Sequence, residues 1–300
     1  MTSAAPMAST WPAGHSCSAV NTGFVALGPL KVAFLGVVQG ISELLPISST
    51  AHMRAIPALL GWPDPGSAFS AAMQLAALLA VVSYFRADLS HVARGSARAV
   101  RSRHWGDADF RLLAAVLVAT VPIVIAGALL SKTLNACNSP LRTPMVIGIA
   151  CVAMALLLAM TELLARHRRR AEQLTLWDAV WIGIAQVGAL IPGVSRSGST
   201  LTASLALGFA RADAARVAFL LGIPAIALAG VHELWLLAKT GLPPGAWVTL
   251  GIGLLVSSLS SFFAIWVLMR FLEQYSTWPL IAYRAAFGLL LIVGAAVGLF

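Results

Sequence analysis

Charge is scarce along this chain: Asp, Glu, Lys and Arg make up 10% of 300 residues, against about 25% in soluble domains. That scarcity, with 59% hydrophobic residues, excludes a soluble globular domain. Acidic residues are scarcer still, 11 against 20 Lys and Arg. The resulting net charge of +9 would raise nucleic-acid binding in a soluble protein. Here no basic stripe interleaved with aromatics exists, and the cations cluster in short connections, so nucleic acid is not an expected partner. The cysteines number 3, and Cys17, Cys137 and Cys151 show no CxxC or other ligand spacing. No disulfide or metal framework follows. Residues 1–27 lack a basic region followed by a clean apolar run. They read as a disordered or loosely attached extension rather than a signal peptide.

What the sequence has in abundance is apolar length. Leu112 to Leu130, Met145 to Leu164, Trp247 to Met269 and Leu280 to Phe300 each approach or exceed the roughly 20 residues that span a bilayer as a helix. An all-α, polytopic integral membrane protein is expected, its membrane domain covering residues 28–300. Two connections hold much of the positive charge. One carries Arg86, Arg94, Arg98, Arg101, Arg103 and Arg111; the other is Arg166, His167, Arg168, Arg169, Arg170. Both belong on the cytoplasmic side by the positive-inside rule. Spans near 68–85, 112–131, 144–165, 215–238, 247–269 and 280–300 then alternate consistently.

Two apolar regions are broken near their middles. Residues 30–60 are interrupted at Leu45-Pro46-Ile47-Ser48-Ser49, and residues 177–210 at Ile191-Pro192-Gly193-Val194-Ser195. Each reads as a hairpin of half-helices that enters the membrane and returns on the same side. Such backbone is tolerated at depth only under protein or beside a wet cavity. The two regions also resemble each other. GVVQGISELLPISST (36–50) lines up with GIAQVGALIPGVSR (183–196) if one gap is allowed. Gly36 and Gln39 then fall on Gly183 and Gln186, Pro46 on Pro192, and Ser49 opposite Ser195. Three spans follow each hairpin, starting from opposite sides. The expected architecture is a helical bundle of two inverted-topology repeats, about 28–165 and 177–300, with a site near the midplane.

The breaks hold the chemistry. Glu43 is an ionisable group mid-way through an apolar hairpin, which is costly and points to function. Gln39 lies four residues earlier on the same helix face. Ser48, Ser49 and Thr50 bring hydroxyls to the start of the next half-helix, where a lone serine would be an ordinary N-cap. His52 lies three residues beyond Ser49. In the second hairpin, Arg196 is flanked by Ser195 and Ser197, between Gly193 and Gly198. Buried arginine suits phosphate oxygens, as do the free amides of a helix N-terminus. One carboxylate, one imidazole, one guanidinium and several hydroxyls suit phosphoryl transfer, where positioning and charge stabilisation dominate.

These residues resemble the undecaprenyl-diphosphatase, or bacitracin-resistance, family. Its (E/Q)xxxE pattern is matched by Gln39 to Glu43, followed by Pro46-Ile47-Ser48-Ser49-Thr50-Ala51-His52. Its PGxSRSGxT pattern is matched by Pro192 to Thr200. Met73-Gln74-Leu75, Ala218 to Pro224 and Ala282-Tyr283-Arg284 extend the resemblance over about residues 30–300. It departs at Ala51, where glycine is usual, at Ser199, where alanine is common, and at Gln39, which leaves one carboxylate fewer. The resemblance implies removal of the terminal phosphate of undecaprenyl diphosphate in the bacterial plasma (inner) membrane. The product recycles the lipid carrier for cell-wall synthesis, and the activity confers bacitracin resistance. It also implies a site open to the extracytoplasmic side and dependence on a divalent cation.

On that resemblance the expected catalytic residues are Glu43, Ser49, His52 and Arg196. Ser48, Thr50, Ser195, Arg196 and Ser197 would bind the diphosphate. Glu43 with Gln39 would hold Mg²⁺ or Ca²⁺, both oxygen-seeking cations. Ser49 attacks phosphorus or orients a water that does, with His52 as proton acceptor. Membrane lipids and a second copy of the chain, as a homodimer, complete the expected partners. A transporter or flippase of the polyprenyl phosphate carrier is the alternative reading.

Overall fold

The computed structural model describes residues 23–134, 139–243 and 245–299. Most of the expected extension, residues 1–22, lies outside them. Its last residues, Gly23–Leu27, form a 3-10 turn with Phe24 and Leu27 buried.

Eleven α-helices follow among the described residues. The first hairpin is α1 (Gly28–Leu44) and α2 (Ser49–Leu59); then come α3 (Ser67–Tyr84), α4 (Arg86–Arg101), α5 (Ala108–Leu134) and α6 (Pro144–Leu164). The second hairpin is α7 (Leu176–Val187) and α8 (Arg196–Ala206), followed by α9 (Arg211–Thr240), α10 (Ala246–Gln274) and α11 (Trp278–Ala296). Local chemistry sets the ends. Pro29, Pro144 and Pro279 stand in first turns, where no backbone donor is needed. Thr175 and Asp178 cap each other's backbone amides at the start of α7. Gly241 ends α9 in the left-handed conformation (φ 71°).

Six helices are long and apolar enough to cross a membrane, and α3 with α4 makes a seventh candidate bent by 75°. Leu129, Leu163, Leu255 and Phe263 point outward, as lipid rather than water requires. The region from Arg86 to Arg101, read from sequence as part of a charged loop, is helical. Gly95, Ser96 and Ala99 are buried, at the spacing of one helix face, while Arg94, Arg98 and Arg101 are exposed. The arginines hide this amphipathic pattern from a search for apolar length.

Both hairpins return to the end they entered from. In the first, Trp62 meets the Phe34 ring at 5.8 Å and Lys31 sits over it at 5.1 Å. In the second, Arg169 binds both Asp178 at the start of α7 and the Leu207 carbonyl beyond the end of α8. The two basic segments share one end of the molecule, because Arg216 pairs with Asp88 at 3.0 Å and Glu172 at 3.5 Å. At that same end Glu162 of α6 joins Arg211 of α9 to Thr277 before α11.

The packing repeats itself. Helix α1 lies along α10 as α7 lies along α5, α3 packs on α9, and α6 packs on α11. The shared Gly-x-x-Gln element has a physical cause at these crossings. A Cβ on Gly36 would meet the Gly253 carbonyl oxygen at 2.8 Å, and one on Gly183 would meet that of Ala119 at 2.6 Å. Only glycine lets backbones approach so closely.

Candidate active site

The two hairpin breaks meet. Helix α1 stops because Pro46 cannot continue it, and its last turn ends at Glu43 and Leu44. Helix α2 starts under Ser48, whose hydroxyl accepts from the Ala51 amide at 3.4 Å. In the second hairpin, Ser195 accepts from the Gly198 amide at 3.2 Å to start α8. Both caps have positive φ, 74° at Ser48 and 67° at Ser195. Such backbone is uncommon outside glycine, and it collects at functional sites.

This shared conformation corrects the repeat alignment. Ser48, not Ser49, is the counterpart of Ser195, and the constant offset of 147 residues needs no gap. Ser49 therefore stands where Arg196 stands in the other hairpin. Pro46 and Pro192 both break their hairpins without being equivalent.

Glu43 is the centre of the constellation, its side chain 5% exposed. It accepts from the Ser49 hydroxyl at 2.6 Å, from Gln39 Nε2 at 3.0 Å and from Arg196 Nη2 at 3.1 Å. The last bond is an ion pair between hairpins, with Arg196 11% exposed. Gly222 of α9 makes room for that guanidinium, since a Cβ there would fall 2.1 Å from Arg196 Nη1. Ser197 donates to the Glu43 and Leu45 carbonyls at 3.0 and 3.2 Å. Ser195 and Ser197 hydroxyls lie 3.1 Å apart.

Sequence reasoning set His52 beside Ser49, and the structure does not join them. His52 Nδ1 donates to the Ser48 carbonyl at 2.8 Å, and Nε2 lies 2.8 Å from the Tyr283 hydroxyl. A histidine in the first turn reaches back four residues to a carbonyl, which turns its ring away from position 49. The ring stacks on Phe287 with centroids 4.0 Å apart. The side chain that accepts from the Ser49 hydroxyl is Glu43. Thr50 is exposed and takes part in none of these bonds.

Arg284 is the residue whose part in the site its sequence position did not reveal. Fully buried on α11, it donates to the Pro46 carbonyl at 2.8 Å and to those of Gly193 and Val194 at 2.7 and 2.5 Å. One side chain thus satisfies backbone acceptors in both breaks. Gly198 leaves room for it, since a Cβ there would lie 2.4 Å from Arg284 Nη1. Arg284→Met is expected to lower stability by about 3 kcal/mol or more, since unpaired buried acceptors cost roughly 1–3 kcal/mol each. Thermal unfolding in detergent checks this, and an unchanged midpoint would show that the breaks hold without it.

The first amides of α2 and α8 have no intrahelical acceptor, and both helix starts lie beside Glu43 and Arg196. This arrangement can hold an anion and activate a hydroxyl next to it. As for a cation, no group of three or more His, Cys, Asp or Glu side chains suited to a metal exists among the described residues. Glu43 has about four lone-pair positions, and the three donors above fill most of them. Gln39 Oε1 is buried without a partner. One remaining carboxylate position and one orphaned amide oxygen fit a cation that takes its other ligands from water and substrate phosphate, as Mg²⁺ commonly does.

The family model described as Bacitracin resistance protein BacA matches residues 32–290. Undecaprenyl-diphosphatase 2 of Mesorhizobium japonicum is 61% identical over 261 residues, 87% of this chain and 99% of that protein. Undecaprenyl-diphosphatases of a Synechococcus species and of Gloeobacter violaceus are 49% and 48% identical. These two cover 87% and 91% of this chain, and 92% and 94% of their own lengths.

Proposed function

The chain belongs to the bacitracin resistance protein BacA family, and on that premise we propose that Ser49, Glu43 and Arg196 carry its chemistry. It is a multi-span membrane hydrolase that removes the terminal phosphate of undecaprenyl diphosphate, giving undecaprenyl phosphate for cell-wall synthesis and conferring bacitracin resistance. The observation that supports the residue roles is one carboxylate bonded at once to the Ser49 hydroxyl, 2.6 Å, and to Arg196 of the other hairpin, 3.1 Å.

Ser49 Oγ attacks the terminal phosphorus and passes its proton to Glu43 Oε2. The bond between that phosphorus and the bridging oxygen breaks, and undecaprenyl phosphate leaves with the electron pair. Glu43 passes that proton on to the departing undecaprenyl phosphate. Water then attacks the serine phosphate ester, Glu43 taking a proton from the water and returning it to Ser49 Oγ as the ester bond breaks and inorganic phosphate leaves. Arg196 and the first amides of α2 and α8 neutralise charge on the phosphoryl oxygens. Ser48 and Ser195 set the two helix starts, Ser197 ties the start of α8 to the end of α1, and His52 holds the Ser48 carbonyl in place. Thr50 lies exposed in the first turn of α2. Glu43 and Gln39 would hold Mg²⁺ or Ca²⁺, which when bound neutralises diphosphate charge.

In the bacterial plasma membrane, the basic end faces the cytoplasm. The first hairpin then opens to the extracytoplasmic side, and the two halves form an inverted-topology repeat. Purified protein in detergent should release one inorganic phosphate per undecaprenyl diphosphate, with EDTA suppressing the release. EDTA-insensitive turnover would remove the cation from this account. No release from folded protein would favour the transporter reading instead.

A further inference from the structure

Outside the polar constellation, the structure holds a cavity of about 580 Å³ between α6, α7 and α8, within the roughly 300–1,000 Å³ of small-molecule sites. Its walls are Met154, Leu157 and Met160 on one side and Ala203 and Ala206 on the other, with Val194 at one end. The lining is almost wholly apolar. Its hydroxyls are spent on the backbones of their own helices: Ser199 donates to the Arg196 carbonyl at 3.0 Å, Thr202 to that of Gly198 at 2.7 Å and Thr161 to that of Leu158 at 2.9 Å. The cavity therefore presents hydrocarbon and no polar anchor.

The repeat shows that this space is specific to one half. At the constant offset of 147 residues, Ser199, Ala203 and Ala206 correspond to His52, Ile56 and Leu59. Small side chains on α8 thus occupy positions that α2 fills with large ones, and His52 is further backed by Phe287. One end of the cavity abuts the hairpin break that carries Arg196. Val194 lies two residues before Arg196, and Ser199 is bonded to the Arg196 carbonyl. From Ser199 to Ala206 the wall runs roughly 10 Å along the helix, away from Glu43.

We infer that this groove receives the polyprenyl chain of the substrate, with the isoprene units next to the diphosphate lying along α8. The inference rests on the hydrolase reading above. A branched, unsaturated chain suits the flexible methionines, which fill irregular gaps, and the small residues opposite leave room for its methyl branches.

Two variants close the groove from opposite walls: Ala203→Phe on α8 and Leu157→Trp on α6. Each is expected to raise KM for undecaprenyl diphosphate roughly tenfold, the scale of a mismatched apolar pocket. Hydrolysis of methyl diphosphate, which carries no chain to enter the groove, should stay near wild type and so report an intact reactive centre. Equal losses on both substrates, or loss on neither, would overturn the assignment. A second arm does not need turnover: undecaprenyl phosphate carrying a diazirine in its proximal isoprene units is photolysed with the wild-type protein. Labels within 154–164 and 199–206 that survive excess phosphatidylglycerol support the groove. Labels elsewhere, or labels removed by the phospholipid, overturn it. Wild-type protein that is labelled there yet cleaves neither diphosphate would count against the hydrolase reading alone.

Discussion

Arg196→Ala is expected to reduce kcat/KM for undecaprenyl diphosphate by about 10³-fold or more while the protein remains folded and inserted. The magnitude follows from removing a preorganised donor to developing charge, which alone costs about 10²–10³. The loss here is larger, because the same guanidinium holds Glu43 at 3.1 Å across the two hairpins. Without it, a carboxylate that is 5% exposed loses the ion-pair partner that positions it beside Ser49. Arg196→Lys separates the two contributions. It restores a positive charge without the planar fork, so kcat/KM should recover only in part. Phosphate release at saturating and limiting lipid gives both numbers. Wild-type activity in Arg196→Ala would remove the second hairpin from the site.

Ser49→Ala should have an effect at least as large. If Ser49 is the nucleophile, its loss removes the covalent route, and such deletions cost on the order of 10⁴–10⁶ in kcat. If Ser49 only oriented a water, the cost would be that of one hydrogen bond, about tenfold to a hundredfold. The 2.6 Å bond to Glu43 lies within the range of a nucleophile paired with its base, which supports the larger loss. Glu43→Gln keeps the shape of the contact and removes the base, so it should fall by about 10²–10⁴. Measured kcat values for both variants decide between the two magnitudes.

Much of this site was legible in the sequence because its members are expensive where they sit. Glu43 and Arg196 stand out in apolar hairpins, Pro46 and Gly193 mark the breaks, and hydroxyls gather where half-helices begin. The helical spans are equally plain, since apolar length leaves them little else to be. What was not legible is conformation and backbone contact. The two prolines suggested one alignment of the repeats, whereas the positive φ of Ser48 and Ser195 dictates another. His52 falls on the right helix, yet a carbonyl four residues back and a tyrosine 231 residues away decide where its ring points. Arg284 binds three main-chain oxygens, which every residue carries, so the Ala282-Tyr283-Arg284 stretch did not announce what it holds. Helix α4 was hidden because its small buried residues are interleaved with arginines.

The account turns on Ser49 as the group that takes the phosphoryl. The most direct test is to mix wild-type protein with undecaprenyl diphosphate, quench in acid within the first turnover, and map phosphate by mass spectrometry of the peptides. A phosphate ester on Ser49 that forms before free phosphate, and is absent from Arg196→Ala, is the predicted result. Free phosphate released in the first turnover with no ester at Ser49 at any quench time would contradict it, and would assign the attack to water.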